Sequence, residues 1–217
     1  MTDTSTLRPP LAAAAHTLDL NLSDAQLDQL LAYLALISKW NKVYNLTSVR
    51  DPQAMLTQHL VDSLSLLPPL RRHIQGATIR LMDVGSGGGL PGVVIAICEP
   101  HIHVTCVDAV AKKASFITQV AAELGLKNLR GEHSRVEQLK AAPFDVITSR
   151  AFASLIDFTS LTRQHLKPDA VWLAMKGQHP ADELAALPAD LDVFHVEQLA
   201  VPGLDAQRCL IWIRPKR

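Results

Sequence analysis

The sequence predicts an α/β protein in which a mostly parallel sheet of seven strands follows a helical N-terminal region. Three observations predict this class: amphipathic helical patterns fill most of residues 21–75, strand and helix patterns alternate from residue 76 onward, and the first strand runs into a glycine-rich turn. With 217 residues, 48% of them hydrophobic, the chain is long and apolar enough to bury a sizeable core. We therefore expect a flexible tail over 1–20, or a short loose helix there, a helical extension over 21–75 and an α/β domain over 76–217.

Charge and cysteine content narrow the class of protein. Lys and Arg together number 21, as do Asp and Glu, so the formal net charge is zero and any contact with nucleic acid must come from a local basic patch. Cys98, Cys106 and Cys209 are widely spaced in apolar contexts, which favours a reducing compartment and argues against zinc. No apolar run approaches the roughly 20 residues that cross a bilayer, so the sequence predicts a cytoplasmic protein without membrane contact.

Two helices are predicted in the helical extension. Ser23 and Gln26 have the spacing of a capping box, and leucines at i, i+3, i+4 and i+7 continue the pattern as an amphipathic helix to about residue 40. A second helix starts at Asp51–Pro52, with Asp as N-cap and Pro at the first helical position, and ends at the Pro-Pro pair 68–69.

Seven strands are predicted from residue 76 onward, with helices between most of them. The strands lie near residues 79–84, 103–109, 128–133, 144–150, 169–177, 191–201 and 208–215. The last two are joined by a short segment that suits an antiparallel hairpin, so the sheet is expected to be parallel with an antiparallel end.

The glycine-rich turn in residues 79–92, IRLMDVGSGGGLPG, predicts a site for a nucleotide cofactor. The spacing G-x-G-x-x-G occurs through Gly87, Gly89 and Gly92, which makes the dinucleotide-binding fingerprint the first candidate. However, a carboxylate at the mouth of the loop, Asp83, would repel a pyrophosphate and suit a cationic ligand. S-adenosylmethionine is such a ligand, and its carboxylate can accept hydrogen bonds from the backbone amides of the turn. The alternative is a simple glycine turn with a capping Asp.

Two further strand ends are expected beside this turn, because ligands collect at the carboxyl ends of parallel strands. Asp108 lies about 20 residues beyond the loop, where an acidic side chain accepts hydrogen bonds from ribose hydroxyls. The alternative for Asp108 is a cap on the following helix. Val136 and Glu137 follow the third strand and are positioned to line an adenine pocket, the alternative being a solvated helix start.

The fourth strand ends in Ser-Arg-Ala-Phe at 149–152, and this tetrapeptide limits the reactions that the protein could catalyse. It lacks the Asn/Asp-Pro-Pro-aromatic motif of enzymes that methylate exocyclic amines and the cysteine nucleophile of enzymes that make 5-methylcytosine. Arg150 suits an anion or the edge of a base, while Phe152 is available for stacking or, alternatively, for core packing. Lys176, at the end of the fifth strand, suits a phosphate or the acceptor base, its alternative being a solvated strand end.

The histidines predict neither a metal site nor a catalytic triad. His101 and His103 alternate near a strand start without a nearby carboxylate or cysteine partner. His59, Asp62 and Ser63 fall on one helical turn, a poor geometry for a triad, and we expect a structural or surface role for them.

Several segments together resemble one family, the small-subunit ribosomal RNA methyltransferases called RsmG or GidB. They are LMDVGSGGGLPG, the VDA of the second strand with KK after it, HSRVEQL, FDVITSRAFASL, KWNKVYNLTSV and HLVDSL. The resemblance covers roughly residues 23–177. The resemblance implies a class I, Rossmann-like methyltransferase domain over 76–217 with an N-terminal helical addition. It also implies that S-adenosylmethionine is used to methylate N7 of one guanine in a loop of 16S ribosomal RNA near the decoding site.

The resemblance and the class-wide pattern together assign site residues. The expected cofactor residues are Asp83, Gly85, Ser86, Gly87, Leu90, Asp108, Val136, Glu137 and Arg150, and the expected substrate residues are Arg150 and Lys176. Guanine N7 carries a lone pair and no proton, so we predict no indispensable catalytic acid or base. Because the N7 edge of A-form RNA faces a groove that side chains cannot enter, the target guanine must be unpaired or splayed out.

The expected partner is 16S rRNA or the small ribosomal subunit, bound by a monomer without a metal ion. A local RNA patch is expected on Lys39, Lys42, Arg50, Arg71, Arg72, Lys112 and Lys113, the alternative being scattered solubilising charge. Two other functions remain open on the sequence: an NAD-dependent oxidoreductase and a non-catalytic nucleotide-binding module.

Overall fold

One seven-stranded sheet organises the chain in the computed structural model, which describes residues 5–150, 152 and 154–216. The strands are β1 (Arg80–Val84), β2 (His103–Asp108), β3 (Leu129–His133), β4 (Phe144–Ser149), β5 (Leu166–Lys176), β6 (Leu191–Gln198) and β7 (Cys209–Pro215). Their spatial order is β3-β2-β1-β4-β5-β7-β6, with β1 to β5 paired in parallel and β7 antiparallel to both neighbours. The predicted α/β class, with a mostly parallel sheet and an antiparallel end, is confirmed.

Nine α-helices surround this sheet in the described part of the chain. They are α1 (Arg8–Thr17), α2 (Asp24–Tyr44), α3 (Pro52–Met55), α4 (Asp62–Leu64), α5 (Leu67–Ile74), α6 (Gly92–Cys98), α7 (Ala111–Glu123), α8 (Leu155–Thr162) and α9 (Ala181–Ala185). A π-helix, Leu56–Val61, joins α3 to α4, and single 3₁₀ turns occupy Ser5–Leu7, Val136–Gln138 and Arg163–His165. Of the helices in the described ranges, none is long and apolar enough to span a bilayer.

The helix ends agree in part with the predicted ones. The capping box of Ser23 and Gln26 is present, but α2 continues past residue 40 and ends where Asn45 adopts a left-handed conformation, with φ of 49°. The Pro-Pro pair 68–69 does not end a helix. It lies instead in the first turn of α5, where proline needs no amide partner.

Within residues 1–20, where the sequence predicts a flexible tail or a short loose helix, residues 8 to 17 form the helix α1. Leu11 and Ala14 of this helix are buried, and Arg8 makes an ion pair of 2.7 Å with Asp24 at the start of α2. The alanine run has high helix propensity but little amphipathic pattern, so only contact with the rest of the protein shows that it is packed. Residues 1–4 lie outside the described residues.

Two apolar cores lie on the opposite faces of the sheet. One contains Leu81 together with the helices of the N-terminal extension, and the other contains Met82, Phe158 and Trp172. Neighbouring residues of β1 thus enter different cores, as expected for a parallel sheet that is covered on both faces. Since the helical extension and the sheet share a core, the division of the chain into 21–75 and 76–217 remains a prediction.

Helix α2 connects the extension to the sheet domain through polar side chains as well. The Nε2 atom of Gln26 donates to the carbonyls of Ile97, at 3.2 Å, and Cys98, at 3.0 Å, near the end of α6. Gln29 Nε2 donates to the carbonyl of Leu124, 3.0 Å away, at the end of α7. The N-terminal part of α2 is therefore held against the C-terminal ends of α6 and α7.

Candidate active site

The turn after β1 is held by two aspartates, one from β1 and one from β2. The amide of Gly87 donates to Asp108 Oδ2 at 2.9 Å, and the amide of Gly92 donates to Asp83 Oδ2 at 2.8 Å. Glycine is needed at both positions: Gly87 has φ of +58°, and a Cβ on Gly92 would lie 2.4 Å from the sulfur of Cys106. The predicted strand, turn and helix are thus present, with backbone amides arranged around the turn.

Asp83 lies beneath this turn rather than at its mouth, where the sequence predicts it. Its side chain is fully buried, and Oδ1 has no hydrogen-bond partner among the described residues. Burial raises the pKa of Asp83 to about 7, against the lowering effects of the Gly92 hydrogen bond and of Arg150, while Asp108 adds to the increase. The expectation of a carboxylate in direct contact with a cationic ligand is therefore not met. Asp83 holds the turn, and its assignment as a cofactor residue stays a prediction.

A first cavity of about 340 Å³ opens between the ends of β1, β2 and β3. Gly85, Asp108, Val136, Glu137 and Phe152 are among its lining residues. Asp108 Oδ1 also accepts from the amide of residue 110 at 2.9 Å, so the predicted helix-capping contact and exposure to the cavity coexist. Phe152 packs on the ring of residue 158 with 5.6 Å between centroids, and it is part of the cavity wall as well as of the core. Four predicted residues are thus brought together.

A second cavity, of about 220 Å³, lies over the glycine turn. The predicted residues Gly85, Ser86, Gly87, Leu90 and Arg150 line it, together with Lys113. The opposite wall comes from the N-terminal extension, through Ile37, Leu46, Thr47 and His59. The extension therefore completes the site rather than only flanking it.

Tyr33 of α2 is hydrogen-bonded to the glycine turn. Its hydroxyl donates to the carbonyl of Gly88 at 2.6 Å, and burial raises the pKa of Tyr33 well above its ordinary value, so the hydroxyl stays a donor. Sequence patterns place Tyr33 only on the apolar face of a helix. The contact with the turn joins residues 55 positions apart and has no local signal.

A third cavity, of about 350 Å³, lies beyond Arg150 toward the ends of β5 and β7. Asp62 forms its floor and is 2% exposed. Its Oδ2 accepts from Arg150 Nη1 at 2.9 Å, and its Oδ1 accepts from Arg208 Nε at 2.8 Å. Lys176, the predicted substrate residue, also lines this cavity, but its ammonium group is paired with Glu183 at 2.9 Å.

His59 lies at the boundary between the second and third cavities, since it lines both. Its Nε2 is 2.8 Å from the hydroxyl of Thr47, and its buried Nδ1 has no partner in the described part of the chain. Burial and the positive charge of Arg150 lower the pKa of His59, so the ring is neutral at pH 7.

Sequence reasoning missed His59, Asp62 and Arg208 as members of the site. Asp62 and Arg208 are 146 positions apart, and nothing in the local pattern indicates their ion pair. The π-helix that carries His59 is likewise invisible in the sequence, although single π turns often occur at functional sites. The predicted structural role of Asp62 is consistent with its ion pairs.

The three cavities form one series along the carboxyl edge of the sheet. Gly85 lines the first and second, while Arg150 and His59 line the second and third. This is the edge at which parallel α/β sheets bind ligands. No group of three or more His, Cys, Asp or Glu side chains within the described residues is arranged to hold a metal ion.

Several solved structures of similar fold are methyltransferases. One is a ribosomal protein L11 methylase from Lactobacillus delbrueckii subsp. bulgaricus, with a TM-score of 0.56 and 16% identity over 72% of this chain and 79% of that chain. Another is a Burkholderia thailandensis 1,6-didemethyltoxoflavin-N1-methyltransferase with bound S-adenosylhomocysteine, with a TM-score of 0.57 and 16% identity over 86% of this chain and 90% of that chain. At this identity the comparison shows the fold alone, which is the Rossmann-like fold of class I methyltransferases.

Closer similarity is found in sequence. A protein named ribosomal RNA small subunit methyltransferase G from Acidovorax ebreus (strain TPSY) is 64% identical over 97% of this chain and 96% of its own length. A protein of the same name from Leptothrix cholodnii is 60% identical over 96% of each chain. The family model for rRNA small subunit methyltransferase G (GidB) matches residues 26–211. The chain therefore belongs to the GidB family, the family that its glycine turn and strand-end motifs resemble.

Proposed function

We propose that this protein uses S-adenosylmethionine to methylate N7 of a single guanine in the 16S rRNA of the small ribosomal subunit. One observation carries the proposal: the three cavities adjoin one another through shared residues, so that a ligand over the glycine turn would reach the boundary at Arg150 and His59. The names of the close relatives agree with this reaction class.

The charges along the first two cavities suit an adenosyl amino acid. Asp108 in the first cavity is an acceptor for ribose hydroxyls, and the backbone near Val136 and Glu137 can face an adenine ring. In the second cavity, Lys113 is a cation beside the glycine turn, where a carboxylate would lie, and its ammonium group is 3.8 Å from Asp108 Oδ2. The residues present therefore fit the cofactor, with hydroxyl acceptors at one end and a carboxylate partner at the other.

The chain's own contribution to the reaction is mainly position. When bound, S-adenosylmethionine supplies a methyl group on a positively charged sulfur. Guanine N7 needs no deprotonation, so the site requires no general base. Holding the two reactants in line can lower the reaction barrier by up to about 7 to 11 kcal/mol. His59 contributes a neutral ring at the boundary between the two cavities, which avoids a second positive charge there.

We propose that only part of the predicted basic patch faces RNA. Arg71 and Arg72 are engaged in ion pairs of 2.6 Å, with Glu99 and Glu197 respectively. Residues Lys42 and Arg50 are exposed around a small pocket near the end of α2, next to the exposed side chains of Val43 and Tyr44. We propose this part of the extension, rather than α5, as the RNA-facing side of the patch.

Transfer of a labelled methyl group tests the proposed function. The purified protein is incubated with methyl-labelled S-adenosylmethionine and small subunits from cells that lack the gene, and the labelled nucleotide is mapped by borohydride and aniline cleavage, which reports 7-methylguanine. We expect one labelled guanine. Subunits from cells that retain the gene are the matched control and should accept no label. If subunits from the deletion cells also remain unlabelled, the proposal is wrong.

Binding titrations separate this function from the two other candidates. S-adenosylmethionine should bind the purified protein and NAD should not, and a protein that prefers NAD would be an oxidoreductase. Binding of S-adenosylmethionine without transfer to any rRNA preparation would indicate a non-catalytic module. We also propose that the protein acts as a monomer, because one chain lines all three cavities, and light scattering in the presence of cofactor tests this. The proposed location is the cytoplasm, because the proposed substrate is the small ribosomal subunit.

A further inference from the structure

We infer that the third cavity binds a phosphodiester of the substrate RNA next to the target guanosine, through Arg150 and Arg208 held in place by Asp62. The inference rests on the proposed function and adds a binding role for Arg208 and a positioning role for Asp62. It also assigns to Arg150 a contact with the RNA backbone rather than with the base.

Two arginine side chains form ion pairs with one buried carboxylate. Asp62 is 2% exposed, whereas Arg150 and Arg208 are 23% and 24% exposed in the same cavity. Arg150 Nη1 also donates to the carbonyl of Gln58 in the π-helix at 2.9 Å. Each guanidinium group is thus anchored on one side and partly open on the other, which fixes its orientation before a ligand arrives.

The charge of the cavity favours an anion. Among the described lining residues, the cations are Arg150, Lys176 and Arg208, and Asp62 is the single carboxylate. Lys176 is neutralised by Glu183, and His59 is uncharged at pH 7 because its pKa is lowered. Two guanidinium charges against one carboxylate leave a net charge of +1, which matches one phosphodiester.

Phosphate is a better ligand for these arginines than the base itself. A planar guanidinium group binds phosphate oxygens through two parallel hydrogen bonds. If the same donors bound the guanine at N7, they would occupy the lone pair that must accept the methyl group. Binding the adjacent phosphate leaves N7 free and still fixes the position of the nucleotide at the boundary with the second cavity.

The variant Arg208→Gln tests this site, because glutamine keeps a donor for Asp62 and removes the charge. The matched control is Arg214→Gln, since Arg214 is also paired with one aspartate but lies outside all of these cavities. For Arg208→Gln we expect KM for RNA to rise about tenfold. The slope of log KM against log salt should become shallower by about 0.7, the loss of one phosphate contact to single-stranded RNA. The affinity for S-adenosylmethionine should change by less than about twofold.

Three outcomes would overturn the inference. The first is a KM and salt slope for Arg208→Gln equal to those of Arg214→Gln. The second is a large loss of S-adenosylmethionine affinity, which would make Arg208 a support for the cofactor site. The third is unfolding of the variant at room temperature, seen by circular dichroism, which would make the arginine pair structural. Absence of methyl transfer by the unaltered protein would instead refute the proposed function, and it is visible before any variant is made.

A binding measurement provides a readout that does not depend on turnover. Guanosine 5′-monophosphate and guanosine are titrated into the protein saturated with S-adenosylhomocysteine. The monophosphate should bind more tightly, and Arg208→Gln should remove that difference while Arg214→Gln keeps it. Inorganic phosphate is titrated in competition. If it binds as tightly as the nucleotide, the cavity is a free-anion site and the assignment to RNA is wrong.

Discussion

Replacing Asp83 with asparagine should stabilise the unliganded protein at alkaline pH. Asparagine keeps an oxygen that accepts the Gly92 amide and removes a carboxylate that is fully buried with one oxygen unpartnered among the described residues. The pKa of Asp83 is about 7 in the folded protein and 3.8 ordinarily. At about 1.4 kcal/mol per pH unit, this difference corresponds to a penalty of about 4 kcal/mol on the ionised folded state.

The sign of the pH dependence follows from the raised pKa. Between about pH 4 and pH 7 the folded protein keeps a proton on Asp83 that the unfolded chain has lost, so the stability contributed by that proton declines as pH rises through this window. The asparagine variant lacks this contribution. Its advantage over the unaltered protein should therefore grow from about pH 4 to pH 7 and stay constant above that.

Urea unfolding at about pH 5, 6, 7 and 8.5, followed by tryptophan fluorescence, measures this difference. A pH-independent difference, or an asparagine variant that is less stable at about pH 8.5, would refute the reasoning. Cofactor titration adds a second readout. If Asp83 acts by holding the turn, Asp83→Ala should weaken S-adenosylmethionine binding by more than about tenfold and Asp83→Asn by less than about threefold. Equal losses would show that the charge itself acts on the ligand.

Three further predictions concern the turn and its supports. Gly92→Ala places a Cβ 2.4 Å from the sulfur of Cys106 and should cost about 1 to 3 kcal/mol in urea unfolding; an unchanged midpoint would contradict the close approach. Tyr33→Phe leaves the carbonyl of Gly88 without its 2.6 Å donor, so we expect a loss of about 1 kcal/mol and weaker cofactor binding at an unchanged KM for RNA; a change in RNA binding alone would contradict this role. Asp62→Asn removes the charge shared by two arginines and should destabilise the fold by about 3 kcal/mol, measured by thermal unfolding; a neutral effect would mean that solvent already screens both pairs.

Much of the fold could be predicted because its signals are local. Apolar runs followed by Gly, Asp or Asn predict strands and turns, and the carboxyl ends of parallel strands necessarily share one edge of the sheet. That is why Gly85, Asp108 and Val136 lie together around the first cavity, as expected from their positions at or just after the ends of β1, β2 and β3. Helix α1 is only an alternative to a flexible tail in the sequence, since its alanines lack an amphipathic pattern and pack against α2 and the π-helix in the folded chain.

The burial of each side chain was harder to predict from the sequence than its position along the strand. Asp83 and Asp108 both follow apolar strand residues and read alike in the sequence, yet one is buried beneath the turn while the other lines a cavity. The difference arises because Asp83 lies one residue before the end of β1 and points toward α6, whose first amide it accepts. Alternation along a strand predicts opposite faces, but not which face the turn will cover.

Taken alone, the amino-acid sequence determined the α/β class, the glycine turn and the residues that follow each parallel strand, since these depend on neighbours a few positions apart. Tertiary structure alone decided that α2 completes the cofactor side of the site and that Asp62 joins Arg150 to Arg208, pairs that are 88 and 146 positions apart. The physical reason is that the partners of a buried carboxylate are the groups that the folded chain brings within hydrogen-bond distance of it. No periodicity in the sequence encodes that distance.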